Sequence, residues 1–268
     1  MSQPSRVKTA ICGLSFVLCW LVTAVAHAAE PQQVRIGAAH FPPYTQRPER
    51  GRDEGLLQQL ADALNGAQQR YRFVLVPTSI PRRFADLQNG RTDLAIFENP
   101  AWGWDAIPHH AVDMGLEDAE LFVARRAPQR TQAYFDSLAG KRLALFSGYH
   151  YAFARFNADR HYLMQTFDAS LTYSHESNLY MVERGRADIA LVTRSYLSDF
   201  LDRHPASAQA LLVSERIDQV YRHYAVLRPQ APISAQAFAA LLAQLRTSGE
   251  LQRIFGPYRI AVKPVPGA

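Results

Sequence analysis

Several side chains in this 268-residue chain sit where a turn could aim them at a small molecule. Arg82 opens a short helical pattern, and a guanidinium there can fork two hydrogen bonds onto a carboxylate or phosphate, or simply stand in solvent. Arg83 beside it leaves the choice open. Ser147-Gly148-Tyr149-His150-Tyr151 links an apolar strand to a helical stretch; free backbone N–H groups at such a start hold anions, and glycine lets the anion approach. Trp102 and Trp104 offer stacking surfaces for an aromatic or cationic group.

Two other groups of residues invite chemistry and are given a different role. Asp93 and Asp188 occupy equivalent places in a phrase stated twice, GRTDLAI at 90–96 and GRADIAL at 185–191. A role in anchoring the turn that feeds each strand is expected of them, not joint catalysis. His109, His110, His150, His161 and His175 lack ligand spacing, no HExxH stands on a helix, and a metal site is not expected. No cofactor and no catalytic residue is assigned.

Those residues need a frame, and the repeated phrase supplies it. Each copy follows a short helical pattern, Phe84 and Leu87 or Leu179 and Val182, and runs into an apolar strand. It reads as a helix stop at a left-handed glycine, then a buried strand of an open α/β sheet. A spacing of 95 residues suits one element in each of two similar lobes. Ligands of open α/β sheets sit beyond the carboxyl ends of the strands, so two such sheets can share one cleft.

The remaining pattern agrees. Val34–Ala38 is a candidate strand, followed by Phe41-Pro42-Pro43-Tyr44, then a helix carrying Leu56, Leu57, Leu60, Ala61 and Leu64 and a strand over Tyr71–Val76 closed by Pro77. The second half repeats this order with a strand over Arg142–Phe146, a helix from about Tyr151, a strand over Leu171–Tyr173 and a helix from about Asn178. Leu121–Val123 is a candidate strand between lobes and Tyr224–Leu227 the return, while a helix from Ser234 to a stop at Gly249 rejoins the first lobe.

Residues 1–28 read as a signal peptide: Arg6 and Lys8, an uncharged apolar run from Ala10 to Val25, and Ala26-His27-Ala28 before the cut. Both cysteines, Cys12 and Cys19, fall inside it, so disulfides and thiol chemistry are not expected of the mature chain. Its removal takes two positive charges from the formal +5, leaving +3, and with export this argues against nucleic acid as a partner.

The aromatic FPPY after the first strand, Val76-Pro77 with Arg82 eight residues before Gly90, LAGKRLAL at 138–145, Gly148-Tyr149-His150-Tyr151 and NLYMVERGRAD at 178–188 together resemble the bacterial family-3 extracellular solute-binding proteins. The resemblance implies an α/β, two-lobed periplasmic-binding-protein-like fold, each lobe a mainly parallel sheet flanked by helices and hinged by crossover strands. Lobe I would be 29–120 with 228–268, and lobe II 121–227. It further implies a periplasmic monomer that closes on a small solute and hands it to an ABC permease in the inner membrane. Two alternatives remain: an enzyme resembling cyclohexadienyl dehydratases, for which Glu98 is the available general acid, and a solute-sensing partner of a membrane receptor.

Within that resemblance Phe41 and Tyr44 take the aromatic wall of the pocket. The amino-acid binders carry an arginine beyond the first-lobe strand and an aspartate just past the second-lobe strand. Here the first strand runs into Glu98-Asn99-Pro100-Ala101-Trp102-Gly103-Trp104, and the aspartate position is Thr193, followed by Arg194. The charges are thus rearranged, which fits either an amino-acid-like ligand held in reverse or a ligand of another class. Expected binding residues are Tyr44, Arg82, Glu98, Asn99, Trp102, Ser147, Gly148, Tyr149, Thr193 and Arg194.

Overall fold

A computed structural model of the chain describes residues 30–50 and 55–264. The expected signal peptide lies outside the described residues. In chain order the elements are β1 (Gln32–Ala39), α1 (Leu56–Gly66), β2 (Tyr71–Thr78), α2 (Arg83–Gln88), β3 (Leu94–Glu98), β4 (His110–Arg125) and β5 (Leu143–Phe146). There follow α3 (Arg160–Phe167), β6 (Ala169–Thr172), α4 (His175–Glu183), β7 (Ile189–Thr193), α5 (Arg194–Arg203), α6 (Pro205–Ala210) and β8 (Leu211–Leu227). The described chain closes with α7 (Ala235–Thr247), α8 (Glu250–Phe255) and β9 (Ala261–Val262).

The sheet order is β2-β1-β3-β8-β4-β7-β5-β6, with β9 on β4. It contains two copies of one pattern. β1 pairs in parallel with β2 and β3, and β5 pairs in parallel with β6 and β7. β3 then takes the end of β8 antiparallel at Leu227, Val226 and Tyr224, while β7 takes the end of β4 antiparallel over Glu120–Ala124. β4 and β8 pair with each other from His110↔Leu227 to Arg125↔Leu211, so each strand begins in one lobe and ends in the other. These two crossover strands are far longer than the segments at Leu121–Val123 and Tyr224–Leu227 that the apolar pattern marks, because their middles carry the polar run Asp118, Glu120, Asp218 and Gln219, which hides the strand period.

The repeated phrase folds the same way twice, bond for bond. Gly90 and Gly185 both take φ of 70°, a conformation that a side chain disfavours. Arg91 and Thr92 N–H both donate to the Asp86 carbonyl; Arg186 and Ala187 N–H both donate to that of Met181. Asp93 N–H then reaches Arg35 O at 2.7 Å and Asp188 N–H reaches Arg142 O at 2.8 Å. The two carboxylates return the tie, each accepting from the backbone N–H and guanidinium of the same arginine.

The first lobe's core unites Val34, Ile36 and Leu94 of its sheet with Leu57 and Leu60 of α1 and with Phe238, Leu242 and Phe255 of the tail helices. The second lobe buries both faces of its sheet, Phe122, Leu145 and Leu191 on one, Val123, Ala190 and Phe200 on the other.

Three sequence-derived boundaries need correction. Pro77 does not end β2, which runs to Thr78; β2 is the sheet's edge, where a missing N–H costs no ladder bond. The helix expected from Tyr151 is only a 3-10 turn over Ala152–Ala154, ended by left-handed Arg155 and Phe156, and α3 begins at Arg160 under an Asp159 cap. The helix expected from Asn178 starts three residues earlier because Ser174 accepts the Ser177 N–H.

Candidate ligand site

A cavity of about 80 Å³ lies beyond the carboxyl ends of β1, β2, β3 and β5, with β8 behind it. Both lobes build it. Phe41, Tyr44, Ile80, Arg83 and Glu98 come from the first; Gly148, Tyr149 and His150 from the second; Tyr221 and His223 from the crossover strand.

The floor is set by a break in the β3 ladder. Register with β8 shifts between Ala95 and Glu98, and Phe97 takes φ of 64°, a left-handed conformation rare for a bulky residue. Glu98 ends that strand, buried, with one carboxylate oxygen accepting from Arg83 Nε at 2.6 Å and the other from Trp104 Nε1 at 3.0 Å. Arg83 is oriented in turn by donating to the Ile80 carbonyl. This buried ion pair is costly to desolvate, so geometry and extra hydrogen bonds must compensate.

The aromatic wall is continuous across the cleft. Phe41 lies 5.3 Å from Tyr149 with the planes 3° apart, and Trp102 stacks on His150 at 6.3 Å and 6°. Gly148, at φ 79°, would place a Cβ only 3.1 Å from the Ile80 side chain, so the lobes approach closely at a position that carries none. Burial lowers the His150 pKa; Arg83 lowers it further and Glu98 opposes, which sets this second-lobe ring against the first-lobe ion pair.

Behind the wall, the Tyr44 hydroxyl donates to Asp118 Oδ2 at 2.6 Å and lies 2.8 Å from His223 Nε2. One phenol proton cannot serve both, so Nε2 of His223 carries the hydrogen. Burial brings the His223 pKa down to about 3, consistent with a neutral ring. Burial raises that of Asp118, while the hydrogen bonds from Ser195, Tyr44 and Ala119 and the charge of Arg194 pull it back.

The expected residues are divided by this geometry. Tyr44, Glu98, Trp102, Gly148 and Tyr149 line the cavity. Arg82 is exposed at the start of α2, one position off the buried face that carries Arg83, Asp86 and Leu87. Asn99 is held by the protein itself, accepting the Ala101 N–H of its own loop and donating to the Arg222 carbonyl of β8. Ser147 is buried with its N–H on Thr172 O, and Thr193 caps α5 through the Tyr196 N–H; neither lines the cavity. Arg194 is also outside the lining, on the side of Asp118. Trp104 serves Glu98 from beneath, and Tyr151 accepts the Phe146 N–H.

No helix start faces the cavity at Gly148. The free N–H groups of the turn, on Ala152 and Phe153, are taken by the protein's own Asp218 at 2.8 and 2.9 Å. Of the other lining residues, Arg83 stands in the sequence as the alternative to Arg82 and His150 as a member of its turn without metal-ligand spacing, while Tyr221 and His223 carry no expectation. Helix phase would have found Arg83, four residues before Leu87, and alternation along β8 would have paired Tyr221 with His223. Among the described residues no cluster of three His, Cys, Asp or Glu side chains is placed for a metal.

No protein-family model and no curated protein matches the chain. Solved structures do. The probable amino-acid ABC transporter extracellular-binding protein ytmK from Bacillus subtilis aligns with a TM-score of 0.64 at 14% identity, over 85% of this chain and 98% of that one. A histidine kinase sensor domain with similarity to periplasmic binding proteins aligns at 0.62 and 19%, over 85% and 95%. An ancestral amino-acid-binding protein, described as a precursor of cyclohexadienyl dehydratase, aligns at 0.62 and 15%, over 84% and 94%. The chain has the mixed α/β fold of the periplasmic binding proteins, with one curled sheet flanked by helices.

Proposed function

We propose that the protein is a periplasmic solute-binding clamp for a small zwitterionic, amino-acid-like solute, which it hands to an ABC permease. The Arg83–Glu98 pair carries this reading. It sets one cation and one anion side by side on a wall of the cavity, under aromatic rings from the other lobe. Arg83 uses Nε and Nη1 within the protein, and no hydrogen bond of its Nη2 is formed among the described residues, so Nη2 is the group to receive a solute carboxylate. Glu98, already accepting on both oxygens, has further lone pairs for an ammonium group. A volume near half the roughly 150 Å³ that takes a benzene ring favours the smaller amino acids.

The enzymatic alternative needs a proton donor in the cavity. Glu98, with both oxygens engaged as acceptors, is fitted to hold a cation and not to donate. Incubation with prephenate or arogenate should therefore give no new aromatic absorbance.

The test is a thermal-shift screen over glycine, alanine, serine, arginine and small organic acids. A bound solute at a hundredfold its Kd adds about 2.7 kcal/mol. Arg83→Gln should abolish the shift by any carboxylate solute; a screen in which no amino acid raises the melting temperature would overturn the proposal.

A further inference from the structure

Glu120 is a buried acid that the ion pair and the aromatic wall do not employ. It sits midway along β4, opposite Thr193 of β7 and Gln219 of β8, where the crossover strands pass between lobes. Its side chain is 0% exposed, and neither carboxyl oxygen meets a donor at hydrogen-bond geometry. The hydroxyls of Tyr149 and Tyr221 are buried in the same unpartnered way.

Among the described residues, the charged groups that act most on Glu120 are acids and not cations. From β4 comes Asp118, from β8 Asp218 and Tyr221, and from the segment after β5 Tyr149 and Tyr151; β7 supplies the neutral Thr193. The nearby guanidiniums act elsewhere, Arg194 on Asp118 and Arg216 on Asp218. An ionised Glu120 would be a buried charge with two acids beside it and no counter-ion, which desolvation forbids. A neutral acid has one O–H to give and a carbonyl to accept, and the Tyr149 hydroxyl beside it, likewise without a partner, is the side chain it can order.

Tyr149 is also the second-lobe wall of the cavity, flat against Phe41 of the first lobe. We propose that Glu120 is kept as a neutral carboxylic acid and is a positioning residue for Tyr149, so that closing the clamp requires a proton on Glu120. This rests on the reading of the cavity as a solute clamp. When the lobes part, Phe41 leaves Tyr149 and the cover over Glu120 loosens; the open form gives up its proton more readily, and closure takes it back. Affinity for the solute then falls with rising pH, by at most tenfold per pH unit for one proton. Burial raises Glu120 and likewise holds Tyr149, Tyr151 and Tyr221 well above the usual tyrosine value.

Infrared difference spectroscopy on the solute-free protein tests the protonation directly. The expected result is a protonated-carboxyl C=O band at neutral pH that is missing in Glu120→Gln and that fades in alkali in step with a change in tryptophan fluorescence, since Trp102 packs on Tyr149. Glu120→Gln should keep the neutral-pH fluorescence and lose its alkaline transition, whereas Glu120→Ala should lose both. Tyr149→Phe, which keeps the ring and removes the hydroxyl, should shift the band. Absence of the band at neutral pH, its persistence in Glu120→Gln, or an unshifted band in Tyr149→Phe would each overturn the proposal. Should Glu120→Gln not fold, the wild-type titration and Tyr149→Phe decide it. These measurements need no solute, so an amino-acid screen without hits would remove the clamp reading and leave the protonation result standing.

Discussion

Phe41 of the first lobe lies parallel to Tyr149 of the second, ring centroids 5.3 Å apart. The stack is an aromatic contact between the two lobes that a single substitution can remove. In the proposed clamp this ring pair and a bound solute would favour the closed form together.

A pair of this kind adds about 0.5–1.5 kcal/mol beyond its buried area. Phe41→Ala should therefore shift the lobes toward the open form by roughly two- to tenfold and weaken solute binding by the same factor. Small-angle scattering of the solute-free variant should show a larger radius of gyration. An unchanged radius with unchanged affinity would mean that the stack does not hold the lobes.

The Arg83–Glu98 pair makes a different prediction, because both partners are buried. Removing one charge leaves the other without a counter-ion, so Glu98→Gln should cost about 3–5 kcal/mol in urea denaturation. The double variant Arg83→Met with Glu98→Leu should recover most of that loss while abolishing amino-acid binding. Additive losses in the double variant would show that the two side chains act independently.

How much of this was legible in the chain follows from which forces act locally. The duplicated phrase predicted two strands, two turns and two anchoring aspartates because a glycine stop and an apolar strand are short-range signals. The cavity depends on long-range geometry. Arg82 and Arg83 differ by one residue, and in a helix of only six residues a single buried apolar position, Leu87, sets the phase that tells them apart. Arg194 follows the end of β7 much as Glu98 closes β3, yet it stands on the side of Asp118 and outside the cavity lining. Asp218, which occupies the N–H groups offered to an anion, comes from a strand whose polar middle carries no strand period.

Two buried histidines set a stability slope in mild acid. Burial puts the pKa of His175 and of His223 near 3 in the folded protein, against an ordinary value of about 6.5 in the unfolded chain. Between those values the unfolded chain binds more protons, so stability is complete above pH 6.5 and is lost as pH falls toward 3. His175, wedged among Phe41, Phe146 and Tyr196, should account for part of that slope. His175→Gln should flatten the dependence of urea-unfolding free energy on pH between about 6.5 and 4; an unchanged slope would refute the assignment.

The two anchoring aspartates allow the two lobes to be compared within one molecule. Asp93 has a side chain 0% exposed and binds two arginines, Arg35 at 2.9 Å and Arg228 at 2.7 Å. Arg228 follows directly on β8, so this carboxylate ties the returning crossover strand to the first lobe. Asp188 is 30% exposed and holds Arg142 alone. Burial by itself would push Asp93 up, but the hydrogen bonds from Arg35 and Arg228 outweigh it and the net shift is downward; Arg142 lowers Asp188 likewise. A lowered folded pKa stabilises fully above the unfolded value near 3.9 and is lost as pH drops through the lower folded value. Asp93→Asn should cost about 1.5–3 kcal/mol, the range for hydrogen bonds to a charged group, and Asp188→Asn less than about 1 kcal/mol because solvent screens it. Urea titrations at neutral pH measure both, and repeating them below pH 4 should shrink the difference between wild type and Asp93→Asn. Equal costs for the two substitutions would mean that the tie to β8 adds nothing, and that the first lobe is no more firmly joined to its crossover strand than the second.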